Sequence, residues 1–112
     1  MRESLIKNKL QVLHFVIQNM RLCVELQYVD KILPLVWLEA IPGSPLYFVG
    51  MINYAGKSVP VIDLAIRLGL NRSQSYSLDT PIILCSAGIH QTGMIVDKII
   101  SLTWADTDLP MS

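Results

Sequence analysis

Charge is scarce in this 112-residue chain: 16% of its residues are Asp, Glu, Lys or Arg, and nine cations against nine anions leave a formal net charge of zero. An average soluble protein carries about a quarter. With 52% hydrophobic residues, such a composition excludes intrinsic disorder and charged tails, and it describes a single packed domain. No basic run is available to neutralise a phosphate backbone or to hold an anionic lipid surface, so nucleic acid and direct membrane insertion are not expected. A near-neutral, apolar surface has little long-range repulsion to keep molecules apart, which points to protein partners.

Long hydrophobic runs are also missing. The longest uncharged stretches, Ala40–Gly56 and Thr80–Val96, are interrupted by Pro, Gly, Asn, Gln or His, so neither is a spanning helix. Arg2, Lys7 and Lys9 precede an apolar run broken by Gln11 and His14, with no small-residue cleavage site after it, which is not a signal peptide and implies the cytoplasm. Two isolated cysteines, Cys23 and Cys85, form no CxxC pair and read as buried free thiols. The glycines stand singly, without a phosphate-cradling motif. His14 and His90 have no neighbouring nucleophile or carboxylate and read as strand-surface residues, while Asp63 and Asp97 read as cap and turn residues. Trp37, Trp104, Tyr47, Phe48 and Tyr54 lack the interleaved cations of a base-stacking surface, and a core or protein-interface role is expected. No catalytic constellation, metal site or cofactor is expected, and the chain does not read as an enzyme.

What is abundant is the β-forming pattern. Short apolar runs rich in Val, Ile and Leu are punctuated by turn residues. Val12–Ile17 and Met20–Leu26 flank Gln18-Asn19 as a first hairpin, with Leu22, Val24 and Leu26 on one face of its second strand. Tyr28–Leu38 is an irregular strand ending in a bend at Pro34. A rigid loop with Pro42, Gly43 and Pro45 leads into a second hairpin, Tyr47–Tyr54 and Lys57–Ile62, joined at Ala55-Gly56. Asp63 caps a helix of about two turns that Gly69 ends. Asn71–Leu78 is polar, without apolar periodicity, and reads as a mobile loop. Pro81–Ala87 and Gln91–Trp104 follow as strands around Gly88, the second long enough to bend midway. The pattern is an all-β barrel, or paired barrels, with one short helix.

The segment IPGSPLYFVGMINYAGKSVPVIDLAIRLGL, Ile41–Leu70, resembles the signature of the CheW-like domain, the coupling module of bacterial chemotaxis arrays. Pro42, Pro45, Gly50, Asn53, Gly56, Pro60, Val61, Asp63 and Leu64 meet its pattern, and GMIVDKIISL, Gly93–Leu102, resembles a later block. The resemblance implies two small SH3-like five-stranded barrels and a non-enzymatic adaptor between a CheA-type histidine kinase regulatory domain and the cytoplasmic tip of methyl-accepting chemoreceptors. The kinase-facing surface would comprise Pro42, Pro45, Tyr47, Val49 and Gly50, with Gly50 allowing two backbones to approach. The receptor-facing set would comprise Val29, Ile99 and Leu102 in a groove between the barrels, with Lys31, Asn53 and Ala55.

Lys31 and Ala55 stand where the family usually has Glu and Arg. Their joint departure is expected to weaken coupling to an ordinary chemoreceptor and makes a divergent pathway such as surface motility a candidate setting. Residues 1–10 would be an N-terminal extension, and 11–112 the domain without its usual C-terminal strands, so one barrel would be incomplete. Unpaired strand edges then predict a homodimer or a swapped oligomer, by exchange of an Ile89–Trp104 hairpin. The competing class is a stand-alone β-barrel module for a peptide or small ligand.

Overall fold

The computed structural model describes residues 9–35, 38–72 and 75–106. Its strands are β1 (Lys9–Ile17), β2 (Met20–Glu25), β3 (Val29–Pro34), β4 (Phe48–Tyr54), β5 (Lys57–Asp63), β6 (Pro81–Ala87), β7 (His90–Ile95) and β8 (Lys98–Asp106), with a 3-10 turn at Leu26–Tyr28 and one short helix, α1 (Leu64–Arg67). They form a three-stranded sheet in the order β2-β1-β8 and a five-stranded sheet in the order β3-β6-β7-β5-β4. All neighbours are antiparallel except β5 and β7. The expected all-β architecture with one short helix is present, one sheet having five strands and the other three.

Strand β6 explains how the sheets come together. Its run Pro81–Leu84 is buried throughout, which for a strand means that both faces are covered. Alternation sends Ile82 and Leu84 into one core with Ile52, Val59, Val61 and Ile95. It sends Ile83 into the other, with Leu13, Phe15, Ile17, Ala65 and Val96. The second core is therefore shared by the two sheets. Each fully buried Ile, Leu or Val contributes about 1.5–3 kcal/mol.

The turns follow from backbone chemistry with one substitution of roles. In the second hairpin both Ala55 (φ 53) and Gly56 (φ 79) are left-handed, as a two-residue turn matched to strand twist requires. In the first hairpin the left-handed residue is Gln18 (φ 56) rather than Asn19. Pro34 sits at the end of edge strand β3, where a missing N–H does least harm. The helix is shorter than expected: Asp63 caps it by accepting from the Ile66 N–H at 3.3 Å, and a left-handed Gly69 (φ 85) ends it.

Several sequence-based expectations are corrected. Gln91–Trp104 is not one bent strand: β7 lies in the five-stranded sheet and β8 in the three-stranded one, with Val96 and Asp97 crossing between them. Ile89–Trp104 is accordingly not a hairpin that could be exchanged as a unit. Cys23 is exposed and Cys85 half-buried, because Cys23 points to the face of β2 opposite Leu22 and Val24, which pack on the core. Leu26 leaves the strand for the 3-10 turn. Trp104 is 64% exposed and no core residue. Trp37 lies outside the described residues.

Candidate functional site

The loop before β4 is built from two consecutive turns. Pro42 and Gly43 are the central pair of the first, with Gly43 at φ 81 and the Ser44 N–H and Oγ both donating to the Ile41 carbonyl, at 3.4 and 2.7 Å. A proline followed by a left-handed glycine is the type II arrangement. The second closes with the Phe48 N–H on the Pro45 carbonyl at 3.0 Å. Pro42 and Pro45 are exposed, and between the second turn's ends Leu46 stands 86% exposed. Tyr47 is half-buried, its carbonyl accepting from the Asp63 N–H at 2.8 Å and its ring facing the Arg67 guanidinium at 5.3 Å. Val49 packs on the five-stranded sheet's core.

Gly50 makes a close backbone approach within this chain. It is buried, and a Cβ built on it would lie 2.8 Å from the Glu39 carbonyl oxygen and 3.2 Å from the Leu38 Cβ. Glu39 and Met51 exchange two backbone hydrogen bonds of 3.0 Å beside it. The two backbones that approach at Gly50 therefore belong to this chain. Leu46, which the motif does not single out, is the most exposed apolar side chain of the loop; an apolar residue between a proline and an aromatic was the signal for it.

The residues expected to face a receptor are distributed over three places. Lys31 is exposed on edge strand β3, opposite Leu84 of β6. Asn53 and Ala55 are exposed at the far edge of the same sheet, on β4 and in its turn. Asn53 lines a cavity of about 580 Å³ with Leu33, Glu39, Met51, Ile52, Tyr54 and Ser58, so the cavity lies between β3 and β4. Val29 and Ile99 are half-buried against the shared core, whereas Leu102 is 51% exposed. One groove bordered by both sheets among the described residues, about 280 Å³, is lined by Val24, Tyr28, Cys85, His90 and Met94 among others; Val29, Ile99 and Leu102 do not line that one.

An ionic cluster built on the buried Asp63, with Arg72 and Asp97 partly exposed, ties these regions together, where the sequence alone offers a cap, a turn and a mobile loop. Asp63 is fully buried; its Oδ1 accepts from the Arg72 Nη2 at 2.9 Å, and its Oδ2 accepts from the Tyr76 hydroxyl at 2.5 Å and from the Arg72 Nε. Arg72 Nη1 also donates to Asp97 Oδ1 at 2.8 Å, and the other Asp97 oxygen accepts from the Gln18 N–H at 2.6 Å. Burial pushes the Asp63 carboxyl up, but the hydrogen bonds from Arg72, Tyr76 and Ile66 outweigh it and hold the group below the usual carboxylate range. Tyr76 is pushed up by burial and by Asp63, and its ring lies 5.2 Å from the Arg72 guanidinium. The loop from Asn71 thus carries two of the molecule's most constrained polar side chains.

Among the described residues no group of three or more His, Cys, Asp or Glu could hold a metal ion, and no helix is long and apolar enough to cross a membrane. His14 is half-buried and bonded to the Thr103 hydroxyl at 2.6 Å; His90 is exposed. The chemistry on display is that of surfaces: a stiff apolar loop, two sheet edges and a shallow groove.

Comparison with known proteins places this arrangement. The profile of the CheW-like domain matches residues 11–109. A probable chemotaxis protein CheW of Rhizobium etli is 31% identical over 97 residues, covering 87% of this chain and 62% of that protein. The chemotaxis protein CheW of Rhizobium meliloti is 26% identical over 100 residues, covering 88% and 64%. The chain thus spans less than two thirds of these relatives. The crystal structure of the scaffolding protein TtCheW from Thermoanaerobacter tengcongensis matches with a TM-score of 0.80 at 28% identity, over 87% of this chain and 66% of that one.

Proposed function

The chain belongs to the CheW-like domain family, and on that footing we propose that it is a non-enzymatic scaffold that couples a CheA-type histidine kinase to chemoreceptor tips, in chemotaxis or a surface-motility pathway built from the same parts. The observation that carries this reading is the family match itself, which runs through both the Pro42–Gly50 loop and the Gly93–Leu102 block.

An adaptor does its work by fixing the relative position of two surfaces. Here the loop with Pro42, Pro45, Leu46 and Tyr47 is the kinase-facing surface; Gly50 and Val49 support it from inside. Tyr47 is bonded to the Asp63 backbone, Asp63 to Arg72, and Arg72 to Asp97 at the crossing into β8. This chain of short polar contacts, with the shared core beneath it, holds the loop rigid against the three-stranded sheet that carries Ile99 and Leu102. The receptor-facing surface comprises the exposed Lys31, Asn53, Ala55 and Leu102, with Val29 and Ile99 shaping it from the core.

A three-component capture tests the reading. With an immobilised kinase regulatory domain, a receptor tip fragment should be retained only when this chain is added. Retention of the chain on one partner without recruitment of the other would contradict the adaptor and leave a simple binding module.

A further inference from the structure

Three connections at one end of the five-stranded sheet are held on a single residue, Asp63. Strand β4 begins at that end, β5 finishes there and β6 begins there, since Phe48 lies opposite Ile62, Asp63 opposite Ile95, and Ile95 opposite Ile82. The Asp63 N–H donates to the Tyr47 carbonyl at 2.8 Å, its Oδ1 accepts from the Ile66 N–H in α1 at 3.3 Å, and its Oδ2 accepts from the Tyr76 hydroxyl at 2.5 Å. Each connection displays a leucine to solvent: Leu46, Leu68 just past α1, and Leu78, which is 84% exposed. Leu78 sits in a turn closed by the Ser77 N–H on Thr80 Oγ1 at 2.8 Å and by the Thr80 N–H on the Ser77 carbonyl at 3.1 Å. A single exposed leucine is ordinary; three on connections tied to one residue form a surface already ordered for contact.

One cation is fixed among them. Arg67, the last residue of α1, is exposed, and its guanidinium lies 5.3 Å from the Tyr47 ring. Stacking on an aromatic face restrains the planar fork and leaves its N–H edge free to donate. Among the described residues no carboxylate pairs with Arg67, whereas Arg72 contacts two. A restrained guanidinium bordered by apolar side chains is complementary to a carboxylate in the same setting, where two parallel hydrogen bonds give direction as well as charge. We propose that Arg67 is the specificity residue of the kinase-facing surface, that this surface reaches from Leu46 over Arg67 and Leu68 to Leu78, and that it takes a segment of the kinase regulatory domain in which an Asp or Glu is flanked by apolar side chains. This inference rests on the adaptor reading and adds to it the chemistry of the partner.

The test is calorimetric titration of a CheA-type regulatory domain into the chain and its variants at low and high salt, with thermal melting as the folding control. The unmodified chain should bind more weakly at high salt, because the ion pair lies at the surface. Arg67→Leu keeps an apolar stem over Tyr47 and should bind several-fold more weakly at low salt, with that salt dependence lost. Arg67→Glu should be weaker still, by about tenfold or more, since two carboxylates would meet. Leu78→Asp should weaken binding several-fold without moving the melt. Binding that Arg67→Leu and Arg67→Glu leave unchanged, or a salt dependence that survives in full in Arg67→Leu, would overturn the role of Arg67. Binding indifferent to Leu78→Asp would overturn the reach of the surface. No binding by the unmodified chain at either salt concentration would instead remove the adaptor reading on which the inference stands.

Discussion

Arg72 grips the fully buried Asp63 with both faces of its fork, Nη2 on Oδ1 at 2.9 Å and Nε on Oδ2, while keeping Nη1 for Asp97 at 2.8 Å. Replacing Arg72 by Met would leave a buried carboxylate without its cation, a loss of about 3–5 kcal/mol. Arg72→Lys should recover only part of it, because an ammonium cannot make the bidentate contact. Urea unfolding of the three proteins gives the comparison; a cost under 1 kcal/mol for Arg72→Met would mean that the cluster is wet and weak.

The same cluster sets the pH dependence. Asp63 has a folded value below its ordinary 3.8, so the folded state binds fewer protons than the unfolded state in that window. Its stabilisation is fully present above about pH 4 and is lost as pH falls through the depressed value. Tyr76 is raised above its ordinary 10.0, so its contribution is complete below that value and is lost as pH rises past it. Unfolding free energies measured against pH should fall at both ends. Asp63→Asn should flatten the acid limb and Tyr76→Phe the alkaline limb, whatever each does to the plateau.

Two glycines separate packing against backbone from packing against side chains. At Gly93 an added Cβ would meet Ile82 Cγ2 at 3.0 Å, Val61 Cγ2 at 3.1 Å and Leu84 Cδ2 at 3.3 Å. These side-chain termini can shift, and Gly93→Ala should cost about 1–2 kcal/mol. At Gly50 the neighbour is the Glu39 carbonyl at 2.8 Å, held by the bridge to Met51. Gly50→Ala should cost more than Gly93→Ala, in thermal melting, with no partner present. The reverse order would return Gly50 to the outer surface.

Lys31 and Ala55 provide a test of the receptor-facing surface. Lys31→Glu and Ala55→Arg together should strengthen retention on a receptor tip by more than the product of the single effects, if the two positions act as a charge pair. A double-mutant cycle that closes at zero coupling would show that the two departures are independent.

Legibility in the sequence followed the range of the interactions. The hairpin at Ala55-Gly56, the cap at Asp63 and its stop at Gly69 are local, and each is written in adjacent residues. The strand Pro81–Ala87 is likewise local, whereas the burial of β6 on both faces is a property of the two cores it separates. Arg72 gave no such sign, since its partners Asp63 and Asp97 lie 9 and 25 positions away and no periodicity links them. The crossing at Val96-Asp97 was hidden because Val96 continues the apolar pattern of β7 while joining the other core. Gly50 was recognised as a close approach, but which backbone approached it is a tertiary fact. Exposure of Leu46 is a property of two turns acting together, and composition alone assigned it nothing.

The most direct measurement is calorimetric titration of a CheA-type regulatory domain into this chain and into its Leu46→Asp variant, with melting curves for both. The account predicts binding by the unmodified chain, at least tenfold weaker binding by Leu46→Asp, about 1.4 kcal/mol or more, and superimposable melts, since Leu46 is 86% exposed. Tight binding that Leu46→Asp leaves unchanged would contradict the kinase-facing assignment of the Pro42–Tyr47 loop, and no binding by either protein would contradict the adaptor itself.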